Sequence, residues 1–283
     1  MDRRYFITEV FAEGAYSGNQ LATVIDCEGL STAEMQKIAR AFNFAETTFF
    51  MGGDELSGFD VRIFTPESEL PFAGHPTLGT AFLLRHHIIG FDTPHLTLNL
   101  GVGPIGVRFE PEGDIWMKQN APTFGAELDP VDSAGKIGLE ASDLLEDFPC
   151  QLVSTGLEFL IVPVSDLEAL RGASVVPSKS QTGVLAFCGE GYRESHQYAS
   201  RMFAPGLGVA EDAATGSATG CLAAYLAQHR FNGTSIVHGT VGQGFEINRP
   251  SALQLFADKD ADEGFIVEVG GKVNLVAEGL WRL

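Results

Sequence analysis

Glu46 lies among phenylalanines, in the stretch NFAETTFF at residues 43–50, with Phe44, Phe49 and Phe50 around it. A carboxylate withdrawn from water has its ionised form disfavoured, so its pKa rises. That change suits a group which must take and return a proton near neutral pH. The other reading of Glu46 is an exposed acid on the outward side of a strand. Two further stretches carry groups of the same kind. FTPESELPFAGHPTLGTAFLL (64–84) and RMFAPGLGVAEDAATGSATGCLAAYL (201–226) each pass from a strand-like approach through acids and a glycine into an apolar run. With Glu46, the proton-transfer candidates are Glu67, Glu69, His75, Glu211 and Asp212.

The apolar runs after Gly74 and Gly216 read as helices. The first N–H groups of a helix have no internal partner, and the helix dipole adds partial positive charge there. Glycine lets a ligand approach that backbone closely. Gly74-His75 and Gly216-Ser217 are therefore two candidate anion sites, suited to a small carboxylate. Each also has a plainer reading as ordinary capping, with Thr215 as an N-cap. Asp212 can cap the second helix or hold a substrate amine or hydroxyl.

The two stretches are related. Arg62-x-Phe64-x-Pro66 returns as Arg201-x-Phe203-x-Pro205, and Gly74-x-x-Thr77 returns as Gly216-x-x-Thr219 with three extra residues in the loop between. Ala81 and Leu84 match Ala223 and Leu226. Such a period implies a duplicated unit, hence two pseudo-symmetric halves of strands around an apolar helix. The expected halves are residues 1–121 and 122–283, with the extreme C-terminal strand a candidate addition to the first.

Strands are expected at RYFITEVF, LATVID, ETTFFM, GFDVRIFT, HLTLNL, GPIGVRFE and DIWMKQ, and a helix at STAEMQKIARAF, capped by Ser31 or Thr32. The helix after Gly74 is expected to run to about Arg85, with His86 and His87 at its end. Residues 122–149 read as a connection with a short helix near ASDLLED. The second half repeats the order and closes with strands at FEINRP, LQLFAD, GFIVEVGG and VNLVAEGLWRL.

The chain has 283 residues, 45% of them hydrophobic, which is enough for real cores and excludes a disordered class. With 18 Lys plus Arg against 37 Asp plus Glu, its formal charge of -19 opposes binding to nucleic acid or anionic membranes. Cys27, Cys150, Cys188 and Cys221 have no paired spacing, which argues against a disulfide framework or a zinc site and favours a reducing, cytoplasmic setting. The N-terminus has no apolar signal core, and no apolar run approaches the ~18 residues of a membrane span.

Taken together, GNQLATV (18–24), NFAETTFF (43–50), RIFTPESELPFAGHPT (62–77), AEDAATGSA (210–218) and GFEINRPSALQL (244–255) resemble the PhzF-like family of phenazine-biosynthesis isomerases, which have the diaminopimelate epimerase-like fold. The resemblance implies an α+β protein of two similar domains, each a mostly antiparallel barrel-like sheet around a central helix, with the site between them. It places the acid/base glutamate at Glu46 and the other catalytic groups at His75 and Asp212. It places substrate binding at Asn19, Gly74, Gly216 and Ser217. It implies no metal or organic cofactor, a small carboxylate substrate and a homodimer. Ala45, Gln20 and Ala213 depart from the common pattern, which has serine, proline and proline there.

Related epimerases and racemases of this fold use a cysteine at each helix mouth. The matching places here hold Ala73 and Thr215, neither of which can act as a thiolate, and Cys221 reads as core packing. The favoured reaction is thus an isomerisation by one carboxylate. The alternatives are a non-catalytic binder of small carboxylates and a carboxylate-based epimerase.

Overall fold

The computed structural model describes residues 2–90, 93–262 and 264–282. The chain forms two compact units, Met1–Met117 with Gly270–Leu283, and Lys118–Val269. In chain order the first contains β1 (Arg3–Val10), β2 (Asn19–Val24), α1 (Thr32–Phe42), β3 (Glu46–Asp54), β4 (Gly58–Phe64), β5 (Glu69–Leu70), α2 (Gly74–Leu83), β6 (His95–Leu100), β7 (Gly103–Phe109) and β8 (Ile115–Lys118). The second contains β9 (Thr123–Leu128), α3 (Pro130–Gly135), β10 (Cys150–Ser154), β11 (Glu158–Pro163), α4 (Leu167–Gly172), β12 (Gly183–Cys188), β13 (Tyr198–Ala204), β14 (Val209–Asp212), α5 (Gly216–Gln228), β15 (Ile236–Gln243), β16 (Ser251–Asp258) and β17 (Ile266–Gly271). Strand β18 (Val273–Trp281) pairs with β1 in the first unit.

The units repeat one topology. β2 and β3 are parallel, joined through α1, and β11 and β12 are parallel, joined through α4. A parallel pair needs such a crossover. β3–β4 and β12–β13 then run antiparallel, and β4–β6 and β13–β15 run parallel around the helices α2 and α5. The registers put Thr47 opposite Phe64 in one unit and Val184 opposite Phe203 in the other. These pairings set a residue-by-residue correspondence that spacing alone leaves open. Glu46 matches Gly183, Val61 matches Ser200, and Leu100 matches Gln243.

Helices α2 and α5 are the cores of their units. A helix apolar on all sides is stable only when surrounded. In α2 every residue from Gly74 to Ala81 is buried, and it touches β1, β2, β3, β6, β7 and β18. Gly79 is required by this packing, because a Cβ there would meet Leu21 at 2.6 Å and Val10 at 2.9 Å. In α5 every residue from Gly216 to Ala227 is buried, and the helix touches β10, β11, β15 and β16.

The peripheral helix α1 follows its sequence closely. The Ser31 hydroxyl accepts from the Glu34 N–H and the Glu34 carboxylate accepts from the Ser31 N–H, a capping box. Met35, Ile38 and Ala39 form its buried stripe, and Phe42 packs on Tyr5 and Trp281.

Three expectations need correction. Residues 122–149 contain β9 and α3 as well as a 3-10 turn at Ala141–Asp143. FEINRP is a turn, because Gly244 and Asn248 take positive φ and Phe245 turns back to stack on Tyr192 at 4.1 Å. The strand of this region is β15, just before it. After Leu83 the helix continues as a π-helical turn, Leu84–Ile88, rather than as α-helix to Arg85.

Candidate active site

In the first unit, Asn43 ends α1 in the left-handed conformation, φ 55°, its N–H bonded to the Ala39 carbonyl. The chain then enters β3 three residues later, with Glu46 first and in register with Leu21 of β2. The Glu46 side chain is 17% exposed and that of His75 is 6% exposed, and His75 Nε2 lies 3.4 Å from Glu46 Oε2. His75 also makes a hydrogen bond to the backbone of Gln20. Since Nε2 forms none within bonding geometry, that bond falls to Nδ1. Nδ1 is therefore the protonated nitrogen, facing a carbonyl, and Nε2 turns toward the acid. Burial pushes the imidazolium pKa down to about 3, although the Gln20 bond works the other way, so the ring is neutral around pH 7.

Helix α2 begins at Gly74 with Ala73 as its N-cap, and no side chain caps it. No acid occupies its first turn. Thr77 bonds back to the Ala73 carbonyl at 2.8 Å. Beneath the helix, the buried hydroxyls of Thr80, Thr48 and Thr23 are linked at 2.9 and 2.8 Å. Asn19 is buried at the start of β2, paired with Val10. Asn19, Glu46, Gly74 and His75 thus all belong to the first unit.

In the second unit, Asp212 ends β14 and Gly216-Ser217 open α5. Thr215 is the N-cap residue, but its hydroxyl does not cap the helix. It donates to Asp212 Oδ2 at 2.6 Å. Gln243 and Ser200, which the sequence reading did not single out, stand behind it. Gln243 Nε2 donates to the Asp212 carbonyl at 3.0 Å and to Thr215 Oγ1 at 3.1 Å. The only sequence signal for Gln243 is its place beside the turn at Gly244.

The remaining acids are engaged elsewhere. Glu69 pairs with Arg62, Glu211 with Arg201, and Glu67 is 83% exposed beside Arg40. Cys221 is fully buried against Thr155, and burial pushes its thiol up to about 12. Among the described residues, no group of three or more His, Cys, Asp or Glu is placed to hold a metal ion, and no helix is long and apolar enough to cross a membrane.

The sequence profile of the phenazine biosynthesis-like protein family, PhzC-PhzF, matches residues 8–279. The chain belongs to the PhzF family. Within that family, trans-2,3-dihydro-3-hydroxyanthranilate isomerase of Pseudomonas aeruginosa is 35% identical over 98% of both chains. The enzyme of the same name from Pseudomonas chlororaphis is 36% identical over 94% of this chain and 95% of its own. A PhzF-family phenazine biosynthesis protein from Bacillus anthracis superposes with a TM-score of 0.91, at 28% identity and full coverage of both chains. A hydroxyproline epimerase from Agrobacterium vitis, 8% identical, has a TM-score of 0.62 over 99% of this chain and 92% of its own, a likeness of fold alone. The chain is accordingly a PhzF-family isomerase, of mixed α+β class.

Proposed function

We propose that this isomerase moves a proton on a small amino- or hydroxycarboxylic acid, with Glu46 as its single acid/base. Glu46 takes a proton from an activated carbon of the substrate and returns it to another carbon of the same molecule. Neutral His75, tied through Nδ1 to Gln20, presents Nε2 as an acceptor for the proton that Glu46 carries after it has acted as base. The α2 mouth at Gly74 and the α5 mouth at Gly216-Ser217 hold the carboxylate and stabilise developing negative charge, each well-placed donor contributing on the order of 3 kcal/mol. Asp212 holds an amine or hydroxyl, and Asn19 helps to seat the ligand. That the two units serve one site in a cleft between them is part of the proposal, and rests on family membership and the duplicated mouths.

The observation that carries the single-base reading is the asymmetry of the duplication. The counterpart of Glu46 is Gly183, where even a Cβ would meet the Phe159 ring at 2.9 Å. The second unit offers no acid from the equivalent position, and its mouth has no reactive thiolate. A two-base racemisation has no second base at either place. The relatives named for trans-2,3-dihydro-3-hydroxyanthranilate make that compound the first substrate to try.

Glu46→Gln tests the reading. Turnover of trans-2,3-dihydro-3-hydroxyanthranilate falls by about 10² or more, while thermal stabilisation by 3-hydroxyanthranilate persists. Undiminished turnover in this variant would remove Glu46 from the mechanism. Binding without turnover in the wild type, across a panel of amino and hydroxy acids, would favour a plain carboxylate binder.

A further inference from the structure

Four polar groups converge behind the α5 mouth and have only apolar counterparts behind the α2 mouth. Gln243 is fully buried and uses all its hydrogen-bonding capacity. Its Oε1 accepts from the Thr215 N–H at 3.3 Å and from Ser200 Oγ at 3.5 Å, and its Nε2 donates to the Asp212 carbonyl and to Thr215 Oγ1. The backbone N–H of Thr215 can only donate and the backbone carbonyl of Asp212 can only accept, so the amide has one orientation. Thr215 Oγ1 accepts a hydrogen bond from Gln243 Nε2 and directs its own O–H at Asp212 Oδ2, at 2.6 Å. The chain of donors has one direction, Gln243 to Thr215 to Asp212.

Strand register and helix start give the counterparts of Ser200, Asp212, Thr215 and Gln243 as Val61, Leu70, Ala73 and Leu100. The first unit therefore builds its mouth with no polar group at these four places. Burying polar groups is costly unless every one is satisfied, and the fold does not require them. Their consequence is local to Asp212, whose charged form is favoured by a hydroxyl that can only donate to it. Of the neighbouring charges, Arg201 on β13 is paired with Glu211 on β14 and lies 3.7 Å from Glu246, and Arg249 closes the turn after Gln243, its N–H donating to the Gly244 carbonyl.

We propose that Thr215 and Gln243 are positioning residues that hold the Asp212 carboxylate as a fixed acceptor for a hydrogen-bond donor on the substrate. This deepens the proposed function and rests on its placing of Asp212 at the substrate. The donor tested is the amine that the compound named for the relatives, trans-2,3-dihydro-3-hydroxyanthranilate, carries beside its carboxylate.

The test uses the ligand-free full chain with carboxyl-¹³C aspartate, and Asp212→Asn to assign the signal. The Asp212 titration midpoint rises by about one pH unit or more in Thr215→Val and in Gln243→Leu, and stays at the wild-type value in Thr215→Ser. Circular dichroism checks the fold of each variant, and Thr215→Val with its serine control decides the matter if Gln243→Leu does not fold. A midpoint unmoved in Thr215→Val, or moved as far in Thr215→Ser, overturns the proposal. In a second arm the wild type binds 3-hydroxyanthranilate about tenfold more tightly than 3-hydroxybenzoate, which lacks the amine, and Thr215→Val erases that preference. No preference in the wild type, or the same preference in Thr215→Val, overturns the role as acceptor. The titration needs no turnover, so failure of the isomerase reading shows separately, in Glu46→Gln.

Discussion

The Arg201 guanidinium holds the Glu211 carboxylate through two parallel hydrogen bonds, Nε to Oε1 at 2.9 Å and Nη2 to Oε2 at 2.7 Å. Arg62 holds Glu69 in the same way, at 2.7 and 2.6 Å. Each guanidinium also lies over the phenylalanine two residues on, Phe203 at 5.0 Å and Phe64 at 5.2 Å. The duplicated Arg-x-Phe motif is therefore a brace. It ties the strand before each helix mouth to the acidic segment that leads into the mouth.

The two braces differ in burial, and so in their effect on stability. The Arg201 and Glu211 side chains are 7% and 6% exposed, against 30% and 40% for Arg62 and Glu69. Arg201 also donates to the carbonyls of Arg171 and Ala173 at the end of α4. Glu211→Ala strips a buried cation of its two close hydrogen bonds, leaving it Glu246 at 3.7 Å, and costs about 3 kcal/mol, whereas Glu69→Ala costs about 1 kcal/mol or less. Urea unfolding of both variants measures the difference, and equal losses would refute this account of the braces.

Gly183→Ala places a methyl group against the Phe159 ring, 2.9 Å from its nearest carbon. Overpacking of this kind costs about 1–3 kcal/mol. The melting temperature falls, while turnover per folded molecule at low temperature stays at the wild-type level. A melting temperature unchanged by the substitution would mean that the ring gives way freely.

His75 makes stability depend on pH. Its pKa is about 3 in the folded protein against 6.5 for the ordinary group, because burial disfavours the imidazolium. Between these values the unfolded chain binds the proton more strongly. Stability therefore falls as pH drops below 6.5, by up to about 1.4 kcal/mol per unit from this residue. Urea midpoints at pH 7, 6 and 5 fall less steeply in His75→Asn than in the wild type. Parallel slopes would show that the ring is not held neutral.

Cys221 takes no part in the proposed chemistry. It is fully buried in α5 and its thiol is pushed up to about 12, so the thiolate is scarce at pH 7. Cys221→Ala keeps at least about half of the wild-type turnover, and the folded protein reacts slowly with aromatic disulfides. Loss of turnover in Cys221→Ala, with the fold intact, would revive the cysteine-based epimerase.

Much was legible in order alone where the physics is local. Ser31 and Glu34 sit three residues apart and cap a helix whatever surrounds it. Gly74-His75 and Gly216-Ser217 open their helices because cap and first turn are neighbours in sequence. Glu46 stood out through the phenylalanines beside it, and the duplication through repeated spacing. FEINRP misled because its alternating apolar residues mimic a strand, while Gly244 and Asn248 at positive φ turn the chain. Gln243 gave no signal beyond its place beside Gly244, since it meets Asp212 and Thr215 through the pairing of β15 with β13.

Residue order alone thus determined which side chains stand at each helix mouth, since that depends on neighbours a few positions away. Only the tertiary structure decided what those side chains do. Sequence offered six candidate groups, and strand register assigned Glu69 and Glu211 to arginines, left Glu67 in solvent, and brought His75 to Glu46. It also set Thr215 and Gln243 behind Asp212. A charge or a hydrogen bond is governed by what lies within a few ångströms in space, and that distance is created by pairing strands far apart in the chain.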